Sequence, residues 1–375
     1  MKEKEPIRIL HIVTSMNIGG IENFIMNTYR NIDRTRIQFD FLKHRNTHDF
    51  FDDEIKSLGG RIYTVPAINP LKQGKYNKEV SMFFRHNKDI YPVVHSHINS
   101  YSSFPLRIAK KAGIPVRIAH AHAYEPRIVL DFKSPIRGYA RKTINGQITD
   151  AFACSNAAGK WLFGKRNYQC IPNSIESLKF RPDEEIRMNM RNKLGVSDAY
   201  VIGMVANFGP IKNHRFILRV FSKVLEKVPN SYLVLVGDGR TRKDTEDQAK
   251  ALELSDRIIF TGQQKNVNEH LQTFDVFVLP SLTEGFAISV LEAETMGLPC
   301  VLSTGVPSNV KIFEEMNTSF LSLEDENLWV EKLVSLKDSQ KRCWTNEVSE
   351  TMYDAKKNAE WFMNFYEDKY NQFVR

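Results

Sequence analysis

The sequence predicts an α/β protein made of two doubly wound domains that face each other across a cleft. Short β-branched runs alternate with longer helical patterns almost from end to end, which is typical of parallel sheets with crossover helices. This pattern restarts after the polar stretch at 182–191, and the 375 residues exceed what one hydrophobic core usually organises. We therefore expect domains over 1–176 and 177–355, with a helix at 356–375 that packs back on the first.

Composition places the chain among ordinary globular proteins. Apolar residues make up 42% and charged residues 26%, which excludes a disordered chain, a collagen and a coiled coil. The net charge of +8 favours anionic partners such as nucleotides, phospholipid headgroups or nucleic acid, and it does not choose among them.

Cysteine usage and the amino-terminal segment indicate the compartment. The four cysteines are far apart and lack zinc-ligand spacing, which argues against a disulfide framework and favours a reducing compartment. The segment at 7–13 is interrupted by Arg8 and His11, so it lacks the apolar core of a signal peptide. No apolar run approaches the roughly 18 to 20 residues that span a bilayer. We expect a cytoplasmic protein that is able to rest on a membrane surface.

The first domain is predicted to open with a strand at 7–14, the turn Gly19-Gly20 and a helix from Ile21. Ser155 is a good N-cap for a later helix. The other strands predicted in this domain lie at 93–97, 116–121, 151–154 and 168–171.

The second domain is predicted to repeat this architecture, with a helix at 213–227. Its predicted strands lie at 200–205, 232–236, 257–260, 276–279 and 300–303. Open α/β sheets bind ligands at the carboxyl ends of their strands, so we expect a ligand between the two domains.

A strand, loop and helix over 276–296 carry the densest set of candidate residues. Gly285 lets the backbone approach a ligand, and the amides of Phe286 and Ala287 are predicted at the helix start, where an anion is favoured. The helical rise places Glu284 and Glu292 about 12 Å apart, and such carboxylates suit sugar and ribose hydroxyls. For any single glutamate, a solvated surface charge is the commoner explanation.

Three further segments follow predicted strands. Lys212 stands after a Gly-Pro turn at a helix start, where an ammonium would stabilise charge on a departing diphosphate, although most lysines are simply solvated. Gly19 and Gly20 either bring amides to a phosphate or merely make a tight turn. Gly262 and Gln263 are placed to expose main-chain groups to a flat heterocycle.

Histidines gather at the ends of two predicted strands. His95 and His97 end one strand, and His120 and His122 end the next. No carboxylate is placed to complete a metal site, so a structural role is the default for His95 and His120. His122 lies at the carboxyl end, and we expect it to contact substrate.

These motifs together resemble the retaining glycosyltransferases of family 4, whose GT-B fold consists of two Rossmann-like domains. The similarity covers essentially the whole chain, and it is nearest to enzymes that build bacterial capsular or exopolysaccharide repeat units. The segments that carry it are Gly19-Gly20-Ile21-Glu22, 153–159, 171–175, 236–239, 260–262, 279–281, and the pair Glu284 and Glu292.

The resemblance implies a donor site for a nucleoside-diphosphate sugar, with a UDP-sugar favoured over a GDP-sugar. Glu292 would bind the ribose hydroxyls, Glu284 the hexose hydroxyls, and Lys212 the diphosphate. The amides of Gly285, Phe286 and Ala287 would hold sugar and phosphate, Gly262 and Gln263 would line the base pocket, and Gly19 and Gly20 would form the glycine loop of the first domain.

The resemblance also implies the reaction. His122 would contact the sugar at the reacting centre, and transfer to a glycan or lipid-linked acceptor would retain the anomeric configuration. No metal is expected, because Lys212 and helix amides would take its place. Nucleic acid is not an expected partner, whereas the basic clusters of the first half favour contact with an anionic membrane, or else are ordinary solvated helix faces.

One departure from the family pattern keeps other functions open. Asn207 stands where the family usually has an arginine, so a bidentate diphosphate contact is lost unless Arg240 or Arg242 supplies it. The alternatives are a degenerate, non-catalytic partner of an active transferase, and a nucleotide-sugar epimerase.

Overall fold

The computed structural model describes residues 5–123, 134–308, 311, 317–337, 342, 344 and 346–374. The chain forms two compact units, Met1–Ile175 with Thr351–Arg375, and Glu176–Glu350. The predicted boundaries therefore shift: the first unit ends at Ile175, and the chain returns to it at Thr351 rather than at 356. The reason is a pair of backbone hydrogen bonds, in which Ile175 donates to Tyr353 and accepts from Ala355.

The first unit contains a parallel sheet of seven strands in the described residues, in the order β3-β2-β1-β4-β5-β6-β7. The strands are β1 (Ile7–Val13), β2 (Ile37–Lys43), β3 (Ile62–Thr64), β4 (Val93–Ser96), β5 (Val116–Ala121), β6 (Asp150–Ala153) and β7 (Gln169–Cys170). Its helices are α1 (Gly20–Asn31), α2 (Asp52–Ser57), α3 (Gln73–Asn87), α4 (Ser103–Lys111), α5 (Ser134–Thr143), α6 (Asn156–Phe163) and the last helix of the chain, α13 (Ala355–Val374).

The second unit contains a parallel sheet of six strands in the part that the structure describes, in the order β10-β9-β8-β11-β12-β13. The strands are β8 (Tyr200–Val205), β9 (Ser231–Val236), β10 (Ile258–Gly262), β11 (Val276–Leu279), β12 (Cys300–Ser303) and β13 (Thr318–Leu321). Its helices are α7 (Glu184–Leu194), α8 (His214–Lys227), α9 (Arg242–Ala251), α10 (Val267–Gln272), α11 (Ile288–Thr295) and α12 (Glu326–Leu336).

Both sheets are doubly wound, as predicted, and each reverses its winding once. The reversal lies between β1 and β4 in the first unit, and between β8 and β11 in the second. Loops that leave the carboxyl ends of such neighbouring strands diverge, and the gap between them is where this class of fold binds ligands.

The elements follow from local sequence. Ser155 caps α6 as expected, with its hydroxyl accepting from the amide of Ala158. The buried stripe of α8, with Phe216, Val220 and Phe221, recurs at helical spacing and packs on the sheet. Strands β2, β3 and β13 are additions to the predicted set.

Helix α13 completes the core of the first unit. Phe362 and Tyr366 are buried in it, and the hydroxyl of Tyr366 lies 2.7 Å from Nδ1 of His95 on β4. The carboxylate of Glu367 pairs with Arg36. The aromatic segment at the end of the chain is thus a packing helix, as the sequence indicates.

Candidate active site

The loops after β8 and β11 meet at the winding reversal of the second sheet. The amide of Leu282 donates to the carbonyl of Ile211 at 2.8 Å. The side-chain amide of Asn213, a residue in the left-handed region with φ of 58°, donates to the carbonyl of Pro280 at 3.2 Å. These two bonds tie the loop that carries Lys212 to the loop that carries Glu284.

Lys212 and Glu284 form an ion pair there. Nζ of Lys212 lies 2.5 Å from Oε1 of Glu284, and the hydroxyl of Ser281 donates to the same oxygen at 2.6 Å. The side chain of Glu284 is only 10% exposed. Its other oxygen, Oε2, makes no hydrogen bond among the described residues, so it is available to accept from a hydroxyl group of a ligand.

Glu292 lies on α11, and its carboxyl group has no hydrogen-bond or ion-pair partner in the described part of the chain. Burial raises the pKa of its carboxyl group to about 8. Ionisation of a buried carboxyl group without a hydrogen-bond partner costs free energy. A ligand with two hydroxyl groups that donate to the carboxylate would offset this cost.

The start of α11 refines two expectations. The helix begins at Ile288 with Ala287 as its N-cap, so Phe286 lies just before the helix start, and both Phe286 and Ala287 are buried. The amides that precede the first intrahelical donor are those of Ala287, Ile288 and Ser289. The separation of about 12 Å between Glu284 and Glu292 assumed a continuous helix, and most of the segment before Ile288 is loop.

Asn207 occupies the position at which the resembling family usually has an arginine. Asn207 is exposed at the end of β8, and its carbonyl accepts from the amide of Gly209. Arg242 is held by Asp238 and Glu246 at 2.9 and 2.8 Å, so its charge is already balanced. Arg240 is exposed and makes no ion pair among the described residues, which leaves it as the better of the two predicted substitutes.

The predicted base pocket lies at the end of β10. Gly262 has a φ of 74°, and its carbonyl accepts from the amide of Gly237 at 2.9 Å. A Cβ atom at Gly262 would lie 3.3 Å from the guanidinium of Arg242. Gln263 is exposed beside it. The geometry leaves the main chain accessible here, and the role in base binding stays a prediction.

In the first unit, the glycine loop joins β1 to α1. Gly19 is the N-cap of α1 in an extended conformation, and Gly20 is its first residue. Burial raises the pKa of Glu22, in the first turn, to about 7. Asp49 holds the loop, since its carboxylate accepts from the amide of Met16 at 2.8 Å. Asp49 is not recognisable from the sequence as a support of this loop, because its partner lies 33 positions away.

His122 follows β5 directly, as predicted. Its backbone amide donates to the side-chain oxygen of Asn99 at 2.8 Å, and its Nε2 lies 2.9 Å from Nδ1 of His97. Burial lowers the pKa of His122 to about 3, so the ring is neutral at physiological pH. The structure also brings His11 of β1 against His97, which the sequence analysis did not foresee.

Comparison with known proteins places this arrangement in a family. The model of the group 1 glycosyl transferases matches residues 186–352. The putative glycosyltransferase EpsF of Bacillus subtilis is 32% identical over 369 residues, which is 96% of this chain and 96% of EpsF. The chain belongs to the group 1 glycosyltransferases.

Two other relatives add to the comparison. The Escherichia coli UDP-Gal:alpha-D-GlcNAc-diphosphoundecaprenol alpha-1,3-galactosyltransferase is 24% identical, with 89% of each chain covered. The crystal structure of Anabaena HepE in complex with UDP-glucose superposes with a TM-score of 0.74 at 17% identity, over 94% of each chain. This likeness shows that the group 1 glycosyltransferase described here has the GT-B fold, as the sequence predicted. Its described helices include none that is long and apolar enough to cross a membrane.

Proposed function

We propose that this group 1 glycosyltransferase is a retaining hexosyltransferase of family 4 that acts in cell-surface polysaccharide biosynthesis. It moves a hexose from a nucleoside-diphosphate sugar, preferably a UDP-sugar, to a glycan or lipid-linked acceptor. The observation that carries the proposal is the pair of Lys212 and Glu284 at the winding reversal of the second sheet. One ammonium and one half-satisfied carboxylate together suit a diphosphate and the hydroxyls of the sugar attached to it.

Each group has a chemical task in this proposal. Lys212 offsets the negative charge that grows on the departing diphosphate, and it needs no proton transfer to do so. Oε2 of Glu284 accepts from a donor-sugar hydroxyl while Oε1 keeps its two existing bonds. Glu292 accepts from the ribose. His122 contacts the sugar at the reacting centre, and the acceptor attacks from the face that the leaving group vacates.

The donor preference is supported by relatives. One relative is named for UDP-Gal, and one structural neighbour holds UDP-glucose. The assignment to exopolysaccharide synthesis is supported by the similarity to EpsF over nearly the whole chain. The nature of the hexose and of the acceptor is a matter for a panel of nucleotide sugars and acceptors.

Titration calorimetry with UDP and with GDP tests the donor site, in buffer that contains EDTA. We expect UDP to bind without a metal, because Lys212 is the diphosphate contact in this proposal. GDP should bind more weakly, since a UDP-sugar is the proposed donor. Lys212→Ala should weaken UDP binding and abolish sugar transfer. Lys223→Ala is the matched control, since Lys223 is also a paired lysine of the same unit, bound to Glu326 at 2.8 Å.

The outcomes separate the proposal from its alternatives. Failure of both nucleotides to bind would favour a non-catalytic partner protein. Binding followed by isomerisation of the nucleotide sugar, without any acceptor product, would favour an epimerase. A Lys212→Ala protein that transfers sugar as well as the Lys223→Ala protein would contradict the assignment of the site.

Arg240 is the residue that we infer to compensate for Asn207. Arg240→Gln should weaken UDP binding about tenfold, as the loss of a charge-assisted bond requires. Asn207→Arg in that background should restore it. If Arg240→Gln changes nothing, Arg240 does not contact the diphosphate.

Contact with an anionic membrane is a further part of the proposal. Arg117 and Arg166 are held by backbone carbonyls, so they belong to the fold rather than to a membrane surface. The exposed basic residues on α4, α5 and α6 that make no such bond in the described residues remain: Lys111, Lys142 and Lys160. Flotation with vesicles that contain anionic lipid should show binding that high salt removes, and binding that high salt leaves unchanged would contradict a charge-based contact.

A further inference from the structure

Five histidines lie together on, or one residue beyond, three adjacent strands of the first sheet. We call them the histidine cluster: His11, His95, His97, His120 and His122. Three are joined end to end by hydrogen bonds. Nδ1 of His11 lies 2.9 Å from Nε2 of His97, and Nδ1 of His97 lies 2.9 Å from Nε2 of His122.

All three joined rings are neutral. Each residue is at most 9% exposed, and no carboxylate is bonded to any of them among the described residues. Burial lowers the pKa of His11 and of His122 to about 3, and that of His97 well below its usual value. A neutral imidazole carries one N–H and one bare nitrogen, so each ring donates at one end only.

This restriction leaves two arrangements of protons. If Nδ1 of His97 donates to His122, then Nε2 of His97 is bare and must accept from Nδ1 of His11, so that all three rings carry the proton on Nδ1. If Nε2 of His122 donates instead, all three rings carry it on Nε2. A mixed arrangement would place two N–H groups, or two bare nitrogens, against each other in a buried space.

We propose that His97 and His11 are positioning residues that set the tautomer of His122. Nδ1 of His122 and Nε2 of His11, the two ends of the chain, have no partner in the described residues. Whether Nδ1 of His122 donates a hydrogen bond to a substrate or accepts one therefore depends on the tautomer of His11, which is two hydrogen bonds away. The catalytic consequence rests on the proposed function, since it requires His122 to touch the sugar.

The backbone supports the same role. The side chain of Asn99, held in the left-handed region with φ of 48°, accepts from the amide of His122. The amide of His97 donates to the carbonyl of Ile12 on β1 at 2.9 Å. Rings attached to such fixed main chain have little freedom to break the two bonds between them.

The test uses the full-length protein labelled with ¹⁵N in histidine, without substrate. Long-range ¹H–¹⁵N correlation spectra assign the tautomer of each ring. We expect His11, His97 and His122 to share one tautomer, and a mixture among the three in the wild type would overturn the proposal. This measurement needs no variant, so it does not depend on the folding of an altered core.

Variants then test the coupling. His11→Phe removes the far end of the chain, and we expect it to change the tautomer population of His122, which His11 does not bond. His120→Phe is the matched control, because His120 stacks on His122 with 4.1 Å between ring centroids and neither of its nitrogens has a partner in the described chain. An effect of His120→Phe without an effect of His11→Phe would overturn the proposal.

Kinetics separate this proposal from the assignment of the donor site. His97→Leu should lower kcat at least about tenfold with little change in KM for the donor, and His97→Asn, which keeps an amide near the position of Nδ1, should restore part of it. If the spectra show coupled tautomers but His97→Leu leaves kcat unchanged, the positioning role is overturned. The weaker UDP binding expected of Lys212→Ala would not be affected by that result.

A bound metal is the remaining competitor. Ring nitrogens of His97, His120 and His122 come within 4.8 Å of one another. A metal ion there would need a free nitrogen of His97, but both nitrogens of that ring are hydrogen-bonded, one to His11 and the other to His122. Stoichiometric metal in the purified protein, lost together with activity on chelation, would overturn the proposal.

Discussion

Glu292 carries a carboxyl group whose protonation in the ligand-free protein differs from that of an ordinary glutamate. Its raised pKa, about 8, means that most molecules carry the protonated carboxyl group at pH 7. The carboxylate is the better acceptor for two ribose hydroxyls. We therefore expect UDP affinity to rise severalfold between pH 7 and pH 8.5, as the ionised fraction increases. Calorimetry across this range measures it, and Glu292→Gln should give a flat profile. If UDP affinity depends on pH in the same way in the wild type and in Glu292→Gln, Glu292 does not bind the ribose.

The same residue should lower the stability of the fold. Because the pKa of this carboxyl group is higher in the folded protein, the group ionises at lower pH in the unfolded chain. The free energy of unfolding therefore begins to fall near pH 4.5 and continues to fall as the pH rises towards 8. Glu292→Gln should stabilise the protein by about 1–3 kcal/mol at pH 8, less than full burial would give because the side chain is partly exposed. Urea unfolding should show a much larger gain at pH 8 than at pH 5. A gain of equal size at both would point to a cause other than ionisation.

The pairing of Lys212 with Glu284 marks how far sequence reasoning extends at this scale. Each residue could be selected singly, because each follows a strand at a glycine-containing turn. Their contact joins positions 72 apart, and no local pattern encodes it. The membership of His11 in the histidine cluster was missed for a similar reason, although its position on a strand next to β4 was a usable signal.

At the scale of elements, the histidine cluster joins β1, β4 and β5 and makes the first unit sensitive to acid. Burial lowers the pKa of all five rings below 6.5. The unfolded chain therefore binds more protons than the folded one once the pH falls below about 6.5, and stability decreases from there downwards.

The expected loss is large. Because the five rings stay neutral in the folded protein, the free energy of unfolding should fall by up to about 7 kcal/mol between pH 8 and pH 5.5. This value assumes about 1.36 kcal/mol per pH unit below pH 6.5 for each ring. Urea unfolding at these two values measures it. Replacing His120 by Phe should reduce the loss by about one fifth. An equal loss in the wild type and in the His120→Phe protein would contradict the assignment of the loss to these rings.

Strand β2 shows why some elements escaped prediction. All seven of its residues are buried, yet Gln38, Asp40 and Lys43 are polar. Asp40 accepts from Arg8 at 2.6 Å, and the ammonium of Lys43 is bound by Asp49 and Asp52. These partners come from other elements, so only the folded unit satisfies the polar groups that make the sequence of β2 look like a surface segment.

At the scale of the whole molecule, the assignment of α13 to the first unit gives a separable prediction. Phe362 is 2% exposed in the core that α13 shares with β4 and α1. Phe362→Ala should lower the free energy of unfolding of the first unit by about 3–5 kcal/mol. Differential scanning calorimetry should show an earlier transition for this unit, with the transition of the second unit unmoved. A shift of the second unit alone would contradict the division of the chain.

The two doubly wound units, and the packing of the last helix on the first, were predictable because hydrophobic periodicity and strand–helix alternation extend over long stretches. The boundaries were less so, since the return at Thr351 depends on a backbone bridge between Ile175 and Asp354. Such a bridge joins distant backbone groups and leaves no mark in composition.

The place of α13 also sets an order of events during synthesis. A ribosome makes Phe362 and Tyr366 only after the whole of Glu176–Glu350 has been translated. Until then Phe24 and Phe152 lack the aromatic partner that Phe362 provides in the finished protein. The unit whose translation begins first is therefore the one whose core is completed last.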